Sequence, residues 1–221
     1  MTEYETKPGA RYGSTFKDRR PPGLPFEARP TSTREAGLKI LAHHLDANGV
    51  TGALRSALEE MAKKESGAQL GRPTGTFDAR IKVRGQDGPP HYYGTAVDGL
   101  RPSGGIVTAW GIFQFNRDAW RALPGVSNSA FPWDASIEEE IGRPLAVYVS
   151  LWNDARTAGA DEVSAARYVH LWQHGSSYSN RFKSGAAKLG GDASAWAQAW
   201  LDVPADHRNV IDKHLRNAGV L

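Results

Sequence analysis

Cysteine is absent from the 221-residue chain, which excludes disulfides, a thiolate nucleophile and any cysteine-based zinc site. No stretch approaches the roughly 18 consecutive apolar residues that a spanning helix needs, so no membrane span is expected. Met1-Thr2-Glu3-Tyr4-Glu5-Thr6-Lys7 is polar and acidic where a secretory signal carries its apolar core, and no signal peptide is expected. Runs of five like charges are missing too, and no basic stripe is interleaved with aromatics, so no specific nucleic-acid partner is expected. Neither a phosphate-cradling glycine loop nor a Gly-x-Ser-x-Gly elbow occurs. What the chain does have is a 40% share of hydrophobic residues, enough to bury a core.

Charge discriminates little. Lys and Arg number 27 against 24 Asp and Glu, a surplus of +3. Residues 1–33 hold six basic and four acidic residues, and also five of the thirteen prolines. Pro21-Pro22-Gly23-Leu24-Pro25 lies among them and no helical or strand period shows there, so 1–33 reads as an extended arm ahead of a single domain, 34–221. A mild basic surplus suits a polyanion such as DNA, an anionic membrane or a bacterial wall, and equally an ordinary solvated surface.

Helical period begins at the arm's end. Leu38, Leu41, Ala42 and Leu45 share one face of a helix over 34–46, and Gly49 suits its C-terminal turn. A second helix is predicted over 51–66, stopped by Gly67. Residues 77–84 alternate apolar and polar as a half-buried strand does, and 91–97 can pair back on them across the Gly- and Pro-containing turn at 85–90. Ser136-Ile137-Glu138-Glu139 has capping-box spacing and opens a short helix that Gly142 can end. Pro144 suits the first position of a longer helix running to about Gly159. Further helices are predicted over 164–174, 179–189, 194–201 and 205–218. The pattern is α+β and mainly α, with one small β excursion.

Glu65 is the first candidate for chemistry. Leu54, Leu58 and Met61 form the buried stripe of the second helix, and Glu65, eleven positions after Leu54, continues that stripe into the last turn. Apolar surroundings and the negative end of the helix dipole both disfavour its anion and push its pKa upward. A carboxylic acid still protonated near neutral pH is what cleavage of a glycosidic bond requires of its proton donor. Gln114 stands in an otherwise apolar run and needs buried partners. Gly111 beside it allows a close backbone approach.

Three motifs carry a family resemblance. Glu65-Ser66-Gly67 resembles the Glu-Ser-Gly sequence that ends the catalytic helix of lysozyme-like lytic transglycosylases. Ala109-Trp110-Gly111-Ile112-Phe113-Gln114-Phe115 resembles their Ala-x-Gly-Leu-Met-Gln motif, and is closer to the Gly-x-Tyr-Gln-Phe form of phage muramidases. Tyr168-Val169-His170-Leu171-Trp172-Gln173-His174-Gly175 resembles the Ala-Tyr-Asn-x-Gly helix of the family, with Trp172 and Gln173 where Tyr and Asn are usual. The resemblance covers roughly residues 50–180 and implies a lysozyme-like fold with a β-hairpin excursion after the catalytic helix. It further implies cleavage of the β-1,4 bond between N-acetylmuramic acid and N-acetylglucosamine in bacterial peptidoglycan, with 1,6-anhydromuramyl products.

On this resemblance Glu65 is the general acid and then the base, and Ser66 orients it or bonds substrate. Gly111 and Gln114 meet the saccharide, Tyr168 and Gln173 face the catalytic Glu, and Tyr93, with Tyr92, can stack on sugar rings. A hydrolytic muramidase needs a second carboxylate, for which Asp78 is the candidate and Asp98 a further one. Another alternative is a structural virion protein with an inactive lysozyme-like fold, its arm 1–33 binding phage virion proteins. No metal or organic cofactor is implied: His170 and His174 are four apart on one helix, but no Glu lies between them as an H-E-x-x-H site requires. The expected setting is a phage virion or infected host cell, with action on the periplasm and cell wall.

Overall fold

The computed structural model of the protein describes residues 32–71, 73–74, 82–83, 86–87, 109–115, 117–127 and 135–221. Over these residues the chain is mainly helical. In order the elements are α1 (Arg34–Ala47), α2 (Gly52–Ser66), β1 (Pro73–Thr74), β2 (Lys82–Val83), β3 (Gln86–Asp87), β4 (Ala109–Trp110), α3 (Arg117–Arg121), α4 (Ile137–Thr157), α5 (Glu162–His174), α6 (Ser176–Lys188), α7 (Ala193–Leu201) and α8 (Ala205–Asn217). β1 pairs antiparallel with β4, with Pro73 opposite Trp110. β2 pairs antiparallel with β3, with Lys82 opposite Asp87 and Val83 opposite Gln86. The partner of Lys82-Val83 is thus the segment expected to be a turn, and residues 91–97 lie outside the described residues.

The chain divides into two compact units, one formed by residues up to 41 with 62–144, the other by 42–61 with 145–221. The divisions fall inside α1, α2 and α4. In the first unit, Thr33 Oγ1 caps α1 by accepting the Ala36 N–H at 3.1 Å. Ser32 is fully buried. Its N–H donates to the Leu70 carbonyl (3.0 Å), its hydroxyl accepts the Leu70 N–H (2.9 Å), and its carbonyl accepts from Gln69 Nε2 (2.9 Å). Ser32 and Thr33, read from sequence as the end of the arm, therefore belong to the fold, while 1–31 lie outside the described residues.

Helix α4 departs from expectation. It runs unbroken from Ile137 to Thr157, with Gly142 and Pro144 both inside it. The capping box forms as predicted: Ser136 Oγ accepts the Glu139 N–H (3.1 Å) and Glu139 accepts the Ser136 N–H (3.0 Å). Arg143, bonded to Glu139 at 2.7 Å, holds that carboxyl below the usual glutamate range. A helix-interior proline costs about 3 kcal/mol. Burial of Ile137, Ile141, Leu145 and Tyr148 outweighs it, at roughly 1.5–3 kcal/mol for each fully buried large apolar side chain.

The second unit is built on α5, α6, α7 and α8. Asp161 caps α5 by accepting the Ser164 N–H at 2.7 Å, and Asp192 caps α7 through the Ala195 N–H at 2.8 Å, so both helices start earlier than periodicity alone suggests. Phe182 meets Trp196 and Trp200 edge-on, at 5.0 and 5.4 Å between ring centres, and Tyr168 meets Trp196 at 5.9 Å. Arg167 bonds Asp212 at 2.9 Å and lies over the Trp200 ring. His170 is buried on α5, 5.9 Å from the His214 ring, and burial, with His214 and His174 nearby, pushes its imidazole down to about 3.

Candidate active site

Helix α2 delivers Glu65 in its last turn. Leu54, Leu58 and Met61 are buried as the stripe requires, and Glu65 on the same face is half-buried. Burial raises the pKa of its carboxyl. Among the described residues that carboxyl has no hydrogen-bond or ion-pair partner, and its raised pKa has desolvation by burial as its cause.

The chain turns sharply after Glu65. Gly67 (φ 70°) and Ala68 (φ 58°) are both left-handed, the Gly67 N–H donates to the Lys63 carbonyl, and the Ala68 N–H reaches the Ala62 carbonyl at 2.8 Å. A second tight turn is built from the Gly111-to-Gln114 motif. Trp110 and Phe115 exchange two backbone hydrogen bonds, each 3.0 Å, and close a loop of four residues. In it Gly111 (φ 85°) and Gln114 (φ 53°) are left-handed, and Gln114 Nε2 donates to the Gly111 carbonyl at 2.6 Å. Ala68 and Gln114 are the non-glycine residues with positive φ among those described, and both flank the Glu65 helix end in sequence or through Ser66. Such strain costs about 1–3 kcal/mol per residue and persists where the surroundings hold it.

Ser66 joins the two turns. Its hydroxyl proton is shared between the carbonyls of Ala62 (3.1 Å) and Ile112 (2.8 Å), and its oxygen accepts the Gln69 N–H (3.0 Å). It is fully buried, so the expected contact of Ser66 with substrate is corrected to an internal role: it pins the 111–114 turn to the helix that carries Glu65.

Gly111 is corrected in the same way. A Cβ at this position would lie 2.9 Å from Glu140 Cδ, Cγ and Oε1, so the space glycine leaves is filled by the Glu140 side chain rather than by a saccharide. Glu140, from the first turn of α4, is 4% exposed. Its carboxylate accepts the Ile112 N–H at 2.8 Å on Oε1 and the Gly71 N–H on both oxygens, at 3.0 and 3.2 Å. Nothing in the sequence reading singled Glu140 out. Its membership of the stripe Ile137, Ile141, Pro144, Tyr148 is the signal that could have, by the reasoning that picked Glu65.

Glu65, Ser66, Gly111 and Gln114 thus all belong to the first unit. Tyr168 and Gln173 belong to the second, on α5. The Tyr168 ring, expected on the helix facing Glu65 as a substrate-binding side chain, is a core ring, 3% exposed and packed edge-on against Trp196. Burial, and the charge of Asp154, raise its pKa. Gln173 Oε1 accepts the Tyr148 hydroxyl at 2.6 Å, and Trp172 meets Tyr148 edge-on. Asp78, Asp98, Tyr92 and Tyr93 lie outside the described residues. Among the described residues no three His, Cys, Asp or Glu side chains converge as a metal site, and no helix is long and apolar enough to cross a membrane.

The chain matches no protein-family model, no curated protein and no solved structure.

Proposed function

We propose that the protein cleaves the β-1,4 bond between N-acetylmuramic acid and N-acetylglucosamine in bacterial peptidoglycan, as a lytic transglycosylase on a lysozyme-like fold. The observation that carries this reading is the half-buried Glu65 carboxyl, pushed up by burial at a helix end and without a partner among the described residues. In the reaction Glu65 gives its proton to the glycosidic oxygen as the C1–O4 bond breaks. The carboxylate left behind takes the proton of the muramyl C6 hydroxyl as O6 bonds to C1, closing the 1,6-anhydro ring and restoring the acid. One carboxyl suffices for both halves. Gln114, in its strained turn, is the group to bond an acetamido oxygen or the Glu65 carboxyl.

Hydrolysis would need a second carboxylate to hold the attacking water. Glu140 does not suit that task, because it is buried and its oxygens already accept backbone N–H groups. The basic surplus favours attraction to an anionic wall. A phage virion or an infected host is the setting we infer, and the arm ahead of Ser32 is the segment we assign to virion partners.

Mass spectrometry of soluble products from purified peptidoglycan tests this with wild type and Glu65→Gln. Anhydromuramyl ends that vanish in the variant are expected. Reducing muramyl ends would instead mean hydrolysis and turn attention to Asp78 and Asp98. A wall that is bound but uncut by both proteins would leave the structural-protein reading in place.

A further inference from the structure

A buried carboxylate loses its hydration and needs compensating donors. Glu140 has them in two backbone N–H groups from segments far apart in sequence: Gly71, five residues past the end of α2, and Ile112, inside the four-residue turn. Its place in the first turn of α4 adds the positive end of that helix dipole. The two peptide units that flank the Ile112 Cα are consequently both held, its N–H by Glu140 and its C=O by Ser66, the neighbour of Glu65. Gly111 has no Cβ where the Glu140 carboxyl passes, so the turn and the acid fit only with each other.

We infer that Glu140 is the positioning residue of the site: by tying Gly71 and Ile112 together it fixes the 67–71 loop and the 111–114 turn against the end of α2, and so sets the surroundings of Glu65 and the place of Gln114. This rests on the reading of Glu65 as the proton donor. Glu140 touches no substrate and moves no proton. Its part is to keep water from the inner side of the Glu65 carboxyl and to hold the strained turn in one arrangement, which a catalytic group needs within a fraction of an ångström.

The decisive variant is Glu140→Gln in the full chain. Gln has the same shape, but an NH2 replaces Oε2 and meets the Gly71 N–H donor-to-donor, while the one neutral oxygen left at the Oε1 position is a weaker acceptor for both N–H groups, so the tie to Gly71 loosens. Two readouts are taken. The first is the titration of the Glu65 carboxyl by carbon-13 NMR, assigned by the resonance lost in Glu65→Gln. It is expected to move down in the variant, toward the ordinary glutamate range, as water reaches the loosened turn. The second is steady-state cleavage of peptidoglycan, where kcat is expected to fall between about 10- and 100-fold with KM nearly unchanged, and the alkaline limb of the pH profile to move down with the NMR titration.

A folded Glu140→Gln protein with the wild-type Glu65 titration overturns the positioning role, whatever its activity. Should Glu140→Gln not fold, Glu140→Asp, which keeps the charge and shortens the reach, and Gly111→Ala, which pushes on the carboxyl from the other side, are expected to shift the Glu65 titration in the same direction. Unmoved titrations in these variants overturn it equally. If wild type cuts no peptidoglycan, the glycosidase reading fails by itself, and the NMR titration still decides whether Glu140 governs Glu65.

Discussion

Glu65 lowers stability at neutral pH. Its folded-state pKa lies above its unfolded one, so the folded chain binds the proton more tightly and stability falls as pH rises from the unfolded pKa, about 4.3, through the raised folded value. Below that window nothing is lost. Glu65→Gln, which is never charged, is therefore expected to melt at or above the wild-type temperature at pH 7 and to show no such advantage at pH 4, and on the proposed function it is expected to cut no peptidoglycan. Scanning calorimetry at the two pH values checks this; a variant that melts well below wild type at pH 7 would mean that the carboxylate makes stabilising contacts. Position and direction of shift were both legible in the sequence, because the stripe Leu54, Leu58, Met61 points at Glu65. Glu140 was not legible, for a nearby reason. It sits in an acidic run, Glu138-Glu139-Glu140, that reads as solvated charge at a helix start, and ending the helix at Gly142 cut the stripe that would have shown it to be inside.

Among the helices, glycine separates what is local from what is not. Gly142 lies in α4 with open space where a Cβ would go, whereas a Cβ on Gly37 in α1 would overlap the Ala68 carbonyl. Both are helix-interior glycines, and propensity alone gives alanine an advantage of about 0.5–1 kcal/mol at each. Opposite outcomes are expected: Gly142→Ala raises stability by about that amount, and Gly37→Ala lowers it by about 1–3 kcal/mol, the cost of overpacking. Urea titrations of the two variants decide it, and a stabilising Gly37→Ala would mean that the 67–71 loop yields easily. Most helices were legible because apolar spacing is a local property, although α3 was not foreseen and α4 was split at Gly142. Their starts were read less well where Asp161 and Asp192 act as caps ahead of the apolar pattern. The strand at 86–87 was not foreseen, because the Gly- and Pro-containing segment around it reads as a turn.

At the scale of the whole chain, acid is the informative stress. His170 is buried among apolar residues of the second unit with its Nε2 lacking a partner among the described residues, and its imidazole is held down to about 3. The folded protein therefore refuses a proton that the unfolded chain accepts below about pH 6.5, so stability is fully present above that pH and is lost on the way down to about 3. One such group costs about 2 kcal/mol by pH 5, within reach of urea midpoints measured at pH 7.5, 6 and 5. His170→Gln is expected to flatten that slope, and an equal slope in the variant would assign acid sensitivity elsewhere. Neither the burial of His170 nor the approach of His214 shows in the sequence, since the two lie on helices whose pairing no local pattern states. One further consequence follows from Ser32. Any pull on the chain ahead of it is passed along the covalent backbone to three hydrogen bonds with Gln69 and Leu70, in the loop that Glu140 grips at Gly71. A load on Ser32 is thus delivered to the loop that begins two residues after Glu65, so mechanical stress there and the setting of that carboxyl are linked through the same few hydrogen bonds.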